Sequence, residues 1–379
     1  MLPAIPATFG RLSEVFASSL GAISGAGNSL GFRPAKRVIA ILVDGLGAQN
    51  LKAAGGHAPF LNQALAQTKP ISCGFPSTTA TSITSFATGL AGGGHGLVGY
   101  KVFERQLGLS VNLLTGWNAD VDPLVWQPNQ TVTETAVAAG IAPFVIGPAA
   151  YAESGFTQAT MRGAKYLSAK TIADRIDRAV ALLQQQKDDF LAYLYIPELD
   201  QAAHGFGVAS DRWLHQLEEL DAQVKRLSQA LGKTDALLLT ADHGVVDVPK
   251  HRQLYIDEAA VDWSLAADVS GDPRVNFIYL HEPTLANDFA ASLQDSLGDQ
   301  ALALTKQQVI DTGWYGPLGE PALVRMPDVF ALATKQVALY HRNYAPAKSL
   351  EMIGQHGALS PAELSIPLLG WGAFGAAKG

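Results

Sequence analysis

The 379-residue chain predicts an α/β fold, a three-layer α/β/α sandwich whose mostly parallel central sheet is covered by helices on both faces. Three observations predict it. Short apolar, β-branched runs recur along the chain without polar alternation, as strands buried on both sides require. Amphipathic helical patterns separate several of these runs. Finally, Asp44, Asp200 and Asp242 each stand at or shortly after the C-terminal end of such a run. That is the sheet edge at which open α/β proteins bind ligands.

Taken in order, residues 1–27 read as an N-terminal helix and a Gly-rich linker. Arg11 and Glu14 interrupt this stretch and no basic segment precedes it, so a cleaved export signal is not expected. Arg37–Val43 (RVIAILV) is the first strand. Phe75–Leu90 (FPSTTATSITSFATGL) opens with a turn at Pro76-Ser77 and continues as a Ser/Thr-rich helix, which is poor helix chemistry on stability grounds alone. Pro143–Gly147, Phe190–Ile196, Ala236–Thr240 and Val275–Leu280 read as further buried strands. Helices are expected over Thr171–Lys187, Trp213–Leu231 and Pro283–Leu297, the last opening on proline as helices tolerate. The stretch 250–345, rich in Pro, Asp and Gly, is expected to form a small irregular subdomain within a single domain spanning 1–379.

Composition narrows the function classes. With 48% hydrophobic and 16% charged residues the chain is a compact globular protein. A net charge of −7 without a Lys/Arg run excludes duplex nucleic acid as a major partner. Cys73 is the single cysteine, so no intrachain disulfide or thiolate metal cluster can form. No apolar run is long enough to span a bilayer, and a cytoplasmic location is expected. Oligomeric state is not legible.

Asp44 follows an apolar strand, where an unpaired buried acid is expensive and a plain helix N-cap is the competing reading. Asp200 and His204 are spaced i,i+4, so a helix would put both on one face. Asp242-His243-Gly244 follows a strand directly, and the glycine permits the sharp turn that would aim both side chains at one ion. His356 lies between glycines in IGQHG. Three Asp and three His are a natural ligand set for two divalent cations. Thr78 or Thr79 falls at the start of the Ser/Thr-rich helix, where the helix dipole and free N–H groups favour an alkoxide and bind phosphate oxygens. A hydroxyl there is a candidate nucleophile, activated by coordination to a divalent cation. The pattern points to metal-assisted phosphoryl transfer.

In this order, from residue 38 to about 370, the motifs resemble the alkaline phosphatase superfamily, and within it the nucleotide pyrophosphatase/phosphodiesterase-type hydrolases. The resemblance implies two divalent ions, zinc first and manganese as the alternative. It implies that Asp200, His204 and His356 hold one, while Asp44, Asp242, His243 and the nucleophile oxygen hold the other. Counting back from Thr88-Gly89-Leu90 makes Thr79 the nucleophile, with Thr78 as the fallback. In the phosphodiesterases an asparagine that helps bind a phosphate oxygen is expected where this chain has Tyr100. The implied activity is hydrolysis of small phosphodiesters or pyrophosphates through a phospho-threonine. A phosphomonoesterase of the same superfamily is the nearest alternative, though no extra Arg or third-metal motif is evident for a dianion. A sulfatase would need Cys-x-Pro-x-Arg, which Cys73-Gly74-Phe75-Pro76-Ser77 does not provide, and a phosphoglycerate mutase would need a large insert. A catalytically dead binding protein on this fold is the reading from another class. Trp117, Trp126 and Arg162 are candidates for the substrate pocket, with core packing the competing reading for the two tryptophans.

Overall fold

The computed structural model describes residues 8–375. The first seven residues of the expected N-terminal segment and the last four of the terminal Gly/Ala stretch lie outside the described residues. In chain order the strands of the two main sheets begin with β1 (Arg37–Val43), β2 (Ala142–Gly147), β3 (Lys165–Ser168), β4 (Phe190–Ile196) and β5 (Asp235–Ala241). They continue with β6 (Ala266–Asp272), β7 (Val275–Leu280), β8 (Ala301–Thr305), β9 (Val329–Ala333) and β10 (Leu369–Gly372). The central sheet runs β10-β5-β1-β4-β2-β3, parallel throughout except for β10. β1, β4 and β5 bury almost every residue, which is why they read as continuous apolar runs.

Register positions the chemistry. Val43 pairs with both Ile196 and Ala241, so the three strands end level. The residues that follow, Asp44, the Pro197–Asp200 segment and Asp242, therefore emerge at one place on the sheet edge.

The helices used below are α1 (Leu12–Ser24), α2 (Thr79–Thr88), α3 (Ile172–Gln185), α4 (Glu198–Phe206), α5 (Asp211–Gln229) and α6 (Ala286–Leu297). The predicted helix at 171–187 is α3, with Thr171 as its N-cap accepting from Asp174 N–H. In α1 the buried Phe16 stacks on Phe86 of α2 at 4.5 Å and meets Tyr193 of β4 edge-on, clamping α2 against the sheet. Each such aromatic contributes about 1.5–3 kcal/mol by burial.

Val275–Leu280 forms a strand with the predicted bounds, but in a second sheet, β6-β7-β9-β8, that is wholly antiparallel. Its alternate residues Val275, Phe277 and Tyr279 join the main core, while Ile278 and Leu280 pack on Phe289 and Leu293 of α6. A strand buried on both faces looks the same in sequence whichever way its neighbours run. This sheet occupies much of the stretch 250–345. Edge strands β3 and β10, partly exposed and short, escaped the sequence reading.

Candidate metal centre

Thr78 is the N-cap of α2, in extended conformation, and Thr79 is its first helical residue. The helix tolerates its Ser/Thr content because most hydroxyls are bonded inside it or to its neighbours. Thr84 donates to Ala80 O at 2.6 Å, Thr88 to Thr84 O at 2.7 Å, and Thr81 to Leu97 O at 2.8 Å. Thr79 differs: its Oγ1 lies 3.1 Å from Nε2 of His243. The Thr78 hydroxyl is buried with no hydrogen-bond partner.

Around Thr79 the structure gathers every acid and imidazole expected from the sequence. Asp200 and His204, one turn apart on α4, approach to 3.0 Å between Oδ2 and Nε2. His356 Nε2 lies 4.0 Å from the other Asp200 oxygen. His243 Nε2 is 3.3 Å from Asp44 Oδ1 and 3.4 Å from Asp242 Oδ2. The imidazoles of His243 and His356 stack at 3.7 Å. Donor atoms of Asp200, His204 and His356 lie within 4.8 Å of one another, as do those of Asp44, Asp200 and His243. Asp200 thus stands between the two sets.

Three features show that this cluster fits metal. Each histidine turns Nδ1 toward a backbone carbonyl: His204 to Gly354 at 2.8 Å, His356 to Ser77 at 2.9 Å and His243 to Gly244 at 3.3 Å. These bonds assign the proton to Nδ1 and aim the Nε2 lone pair into the cluster, the tautomer a metal ligand needs. Second, Asp44 Oδ1, Asp200 Oδ1 and Asp242 Oδ2 are buried with no hydrogen-bond partner. Uncompensated carboxylates in such a place are costly, and a cation removes the cost.

Third, the electrostatics of the side chains alone are frustrated. Burial, then the Asp242 and Asp200 carboxylates, push Asp44 well above the usual range, against the hydrogen bond from Tyr195. Burial followed by Asp200 moves Asp242 up to about 7. Burial also lowers His243 and His356. Among the three acids only Asp200 falls, because His204 and the other imidazoles outweigh its burial. Divalent cations would replace the proton that the metal-free acids retain.

Tyr100 immediately precedes a hairpin strand, Lys101–Glu104, and its hydroxyl accepts from Asn112 Nδ2 at 2.7 Å. Trp117 and Trp126 pack edge to face at 6.1 Å, with Trp126 buried beneath Arg325. Arg162 is committed to Glu134 and to backbone carbonyls including Gln127 and Ala159. These last three residues are packing elements.

Sequence reasoning missed two contributors. Tyr195, an interior residue of β4, donates to Asp44 Oδ2. Asp272, buried at the end of β6, has one oxygen without a partner; burial pushes it up to about 7, against the weaker pull of His204. In sequence Asp272 belongs to SGDPR, which reads as nothing more than a turn.

The sequence profile of the type I phosphodiesterase/nucleotide pyrophosphatase family matches residues 38–359. This chain belongs to that family. It is a phosphoric ester hydrolase of the alkaline phosphatase superfamily. Similar solved structures include murine ectonucleotide pyrophosphatase/phosphodiesterase 5 as an inactive variant in complex with AMP, at 18% identity and TM-score 0.68, covering 89% of this chain and 88% of that one. The human counterpart gives 18% identity and TM-score 0.68, covering 88% and 87%. They establish the alkaline phosphatase-like fold. No curated protein sequence matches the chain. Among the described residues, no helix is long and apolar enough to cross a membrane.

Proposed function

We propose that the protein hydrolyses small phosphodiesters or pyrophosphates, nucleotide-like substrates included, through a phospho-threonine at Thr79. The observation that carries this reading is the Thr79 hydroxyl at the head of a helix, 3.1 Å from an imidazole in a cluster where three carboxylates each keep one buried oxygen without a hydrogen-bond partner. Asp200, His204 and His356 would hold one divalent ion and Asp44, Asp242 and His243 the other, with zinc suited to this nitrogen and oxygen donor set. When bound, the ions would polarise phosphoryl oxygens and make a hydroxyl nucleophilic near neutral pH.

Thr79 Oγ1 gives its proton to solvent and attacks phosphorus, forming its own P–O bond as the bond to the leaving oxygen breaks and that oxygen takes a proton from water. Free N–H groups in the first turn of α2 face the phosphoryl oxygens and gain strength as charge builds there. Water then cleaves the threonine ester, releasing phosphate or phosphomonoester and restoring the hydroxyl. His243, His204 and His356 keep their Nδ1 protons on backbone carbonyls throughout, so the rings hold orientation without exchanging protons with substrate.

Charge supports a diester over a monoester. Among the described residues, the cluster's ion-pair partners include no lysine or arginine, and Asp272 adds a fourth carboxylate nearby. The three ligand carboxylates against two dications would leave one surplus positive charge, matched by a diester's single negative charge and exceeded by a phosphate dianion.

Thr79→Ala and Thr78→Ala, assayed on bis(p-nitrophenyl) phosphate and p-nitrophenyl phosphate with metal content measured in parallel, test this. Thr79→Ala should lose at least about a thousandfold in turnover with both metals retained. Thr78→Ala should stay active, and the diester should be the better substrate. Activity surviving in Thr79→Ala, or metal-free wild-type protein that is fully stable and active in chelator, would overturn the reading.

A further inference from the structure

Glu363 offers no atom to the acid–imidazole cluster, yet it ties together segments that do. It is fully buried, and its carboxylate accepts four hydrogen bonds. Oε1 takes Arg274 Nε and the backbone N–H of Ala358, both at 3.0 Å. Oε2 takes Arg274 Nη2 at 2.9 Å and the Ser360 hydroxyl at 2.5 Å. The backbone carbonyl of Glu363 accepts Gly244 N–H at 2.8 Å, immediately after His243. Ala358 is two residues beyond His356.

The same turn meets the other segments at the sheet edge. A side chain on Gly244 would put its Cβ 2.0 Å from the Ala362 carbonyl oxygen, and one on Gly47, three residues after Asp44, would come within 2.9 Å of the same atom. Leu364 O accepts Cys73 N–H, on the segment leading to Thr79. Arg274, equally buried, also donates to Lys335 O and Val337 O and belongs to the hairpin that carries Asp272.

We propose that Glu363, held by Arg274, is a positioning residue of the metal centre. Its carboxylate fixes the His356 loop and its backbone carbonyl fixes the Gly244 turn, which sets the face-to-face spacing of His356 and His243. A buried ion pair is not needed for stability alone, since an apolar pair of similar volume often serves as well. What an apolar pair cannot do is accept the Ala358 N–H.

The two anchors differ in a way that can be measured. Substituting the side chain removes the hold on the His356 loop but leaves the carbonyl bond to Gly244. The ion of the Asp200/His204/His356 set should therefore weaken selectively.

The inference rests on the proposed metal centre, and one experiment separates the two. Metal-free wild type, Glu363→Gln and the double variant Arg274→Met with Glu363→Met are titrated with Zn²⁺ against a chromogenic chelator. Backbone hydrogen exchange at residues 354–364 and thermal melting are followed alongside. Wild type should take two ions. Glu363→Gln should lose at least about tenfold in affinity for one ion and change the other by less than about twofold, with faster exchange at Ala358. The double variant, free of an unpaired buried charge, should melt near wild type and show the same one-ion loss. Two ions bound as in wild type by the folded variants, or both ions weakened equally, would overturn the positioning role. A wild type that binds no ion would instead sink the functional reading on which it rests.

Discussion

Asp44, Asp242 and His243 stand at the ends of two adjacent strands, level with one another and sealed from solvent, whereas Asp200 and His204 sit one turn apart on the short helix α4, where the His204 side chain is 23% exposed. The strand half takes its geometry from sheet register. The helix half takes it from i,i+4 spacing and from the Gly354 carbonyl that bonds the ring of His204. His356 is the hinge piece: it stacks on the strand half yet groups with the helix half. Two constructions, rigid and adaptable, thus meet across one shared carboxylate, Asp200. They are expected to differ in how tightly each holds its ion.

The sharpest break comes from removing one donor on each side. Asp242→Asn should weaken one ion by well over about a hundredfold, because the amide leaves the buried pair of Asp44 and His243 short of charge. His204→Ala should weaken the other ion by less, since water can reach the vacated position. Stepwise metal affinities of the two purified variants decide this, and equal losses would erase the contrast.

Acid comes next in size. Asp44 and Asp242 are raised in the metal-free protein, Asp242 to about 7, so a proton must leave before a cation enters. Affinity of the strand half should climb by at least about tenfold per pH unit below that value. Stability of the chelated protein should run the other way. A raised carboxyl favours the folded state below its unfolded value of about 4, and that advantage is lost as pH rises to about 7. Melting of chelated protein across this window, set beside zinc titrations, checks both signs.

The smallest effect expected is that of Tyr195→Phe. It removes the hydrogen bond to Asp44 Oδ2 without altering any donor to metal, and should cost about tenfold in affinity at the strand half only. A loss shared by both ions would mean that Tyr195 acts on the cluster as a whole.

The strand half was also the more legible of the two. Continuous apolar runs fixed β1, β4 and β5 to within a residue at each end, and an acid directly after such a run has little to do in a core. Asp200 and His204 needed only helical spacing. His356 gained its meaning from residues far away in the chain, and its place on Ser77 could not be read locally. Asp272, Arg274 and Glu363 were illegible for a physical reason. Each is an ordinary turn or helix residue in its own neighbourhood, and only tertiary pairing across the second sheet gives it a partner. That sheet was itself hidden, because β7 carries apolar residues on both faces, one toward each core.

The stacking of His243 on His356 also sets an order of events. Asp44, Thr79, Asp200, Asp242 and His243 precede His356 by more than a hundred residues of chain. During synthesis these residues therefore leave the ribosome well before the last imidazole and the turn that braces it. The six acids and imidazoles of the cluster are all present only once the segment carrying His356 has been made.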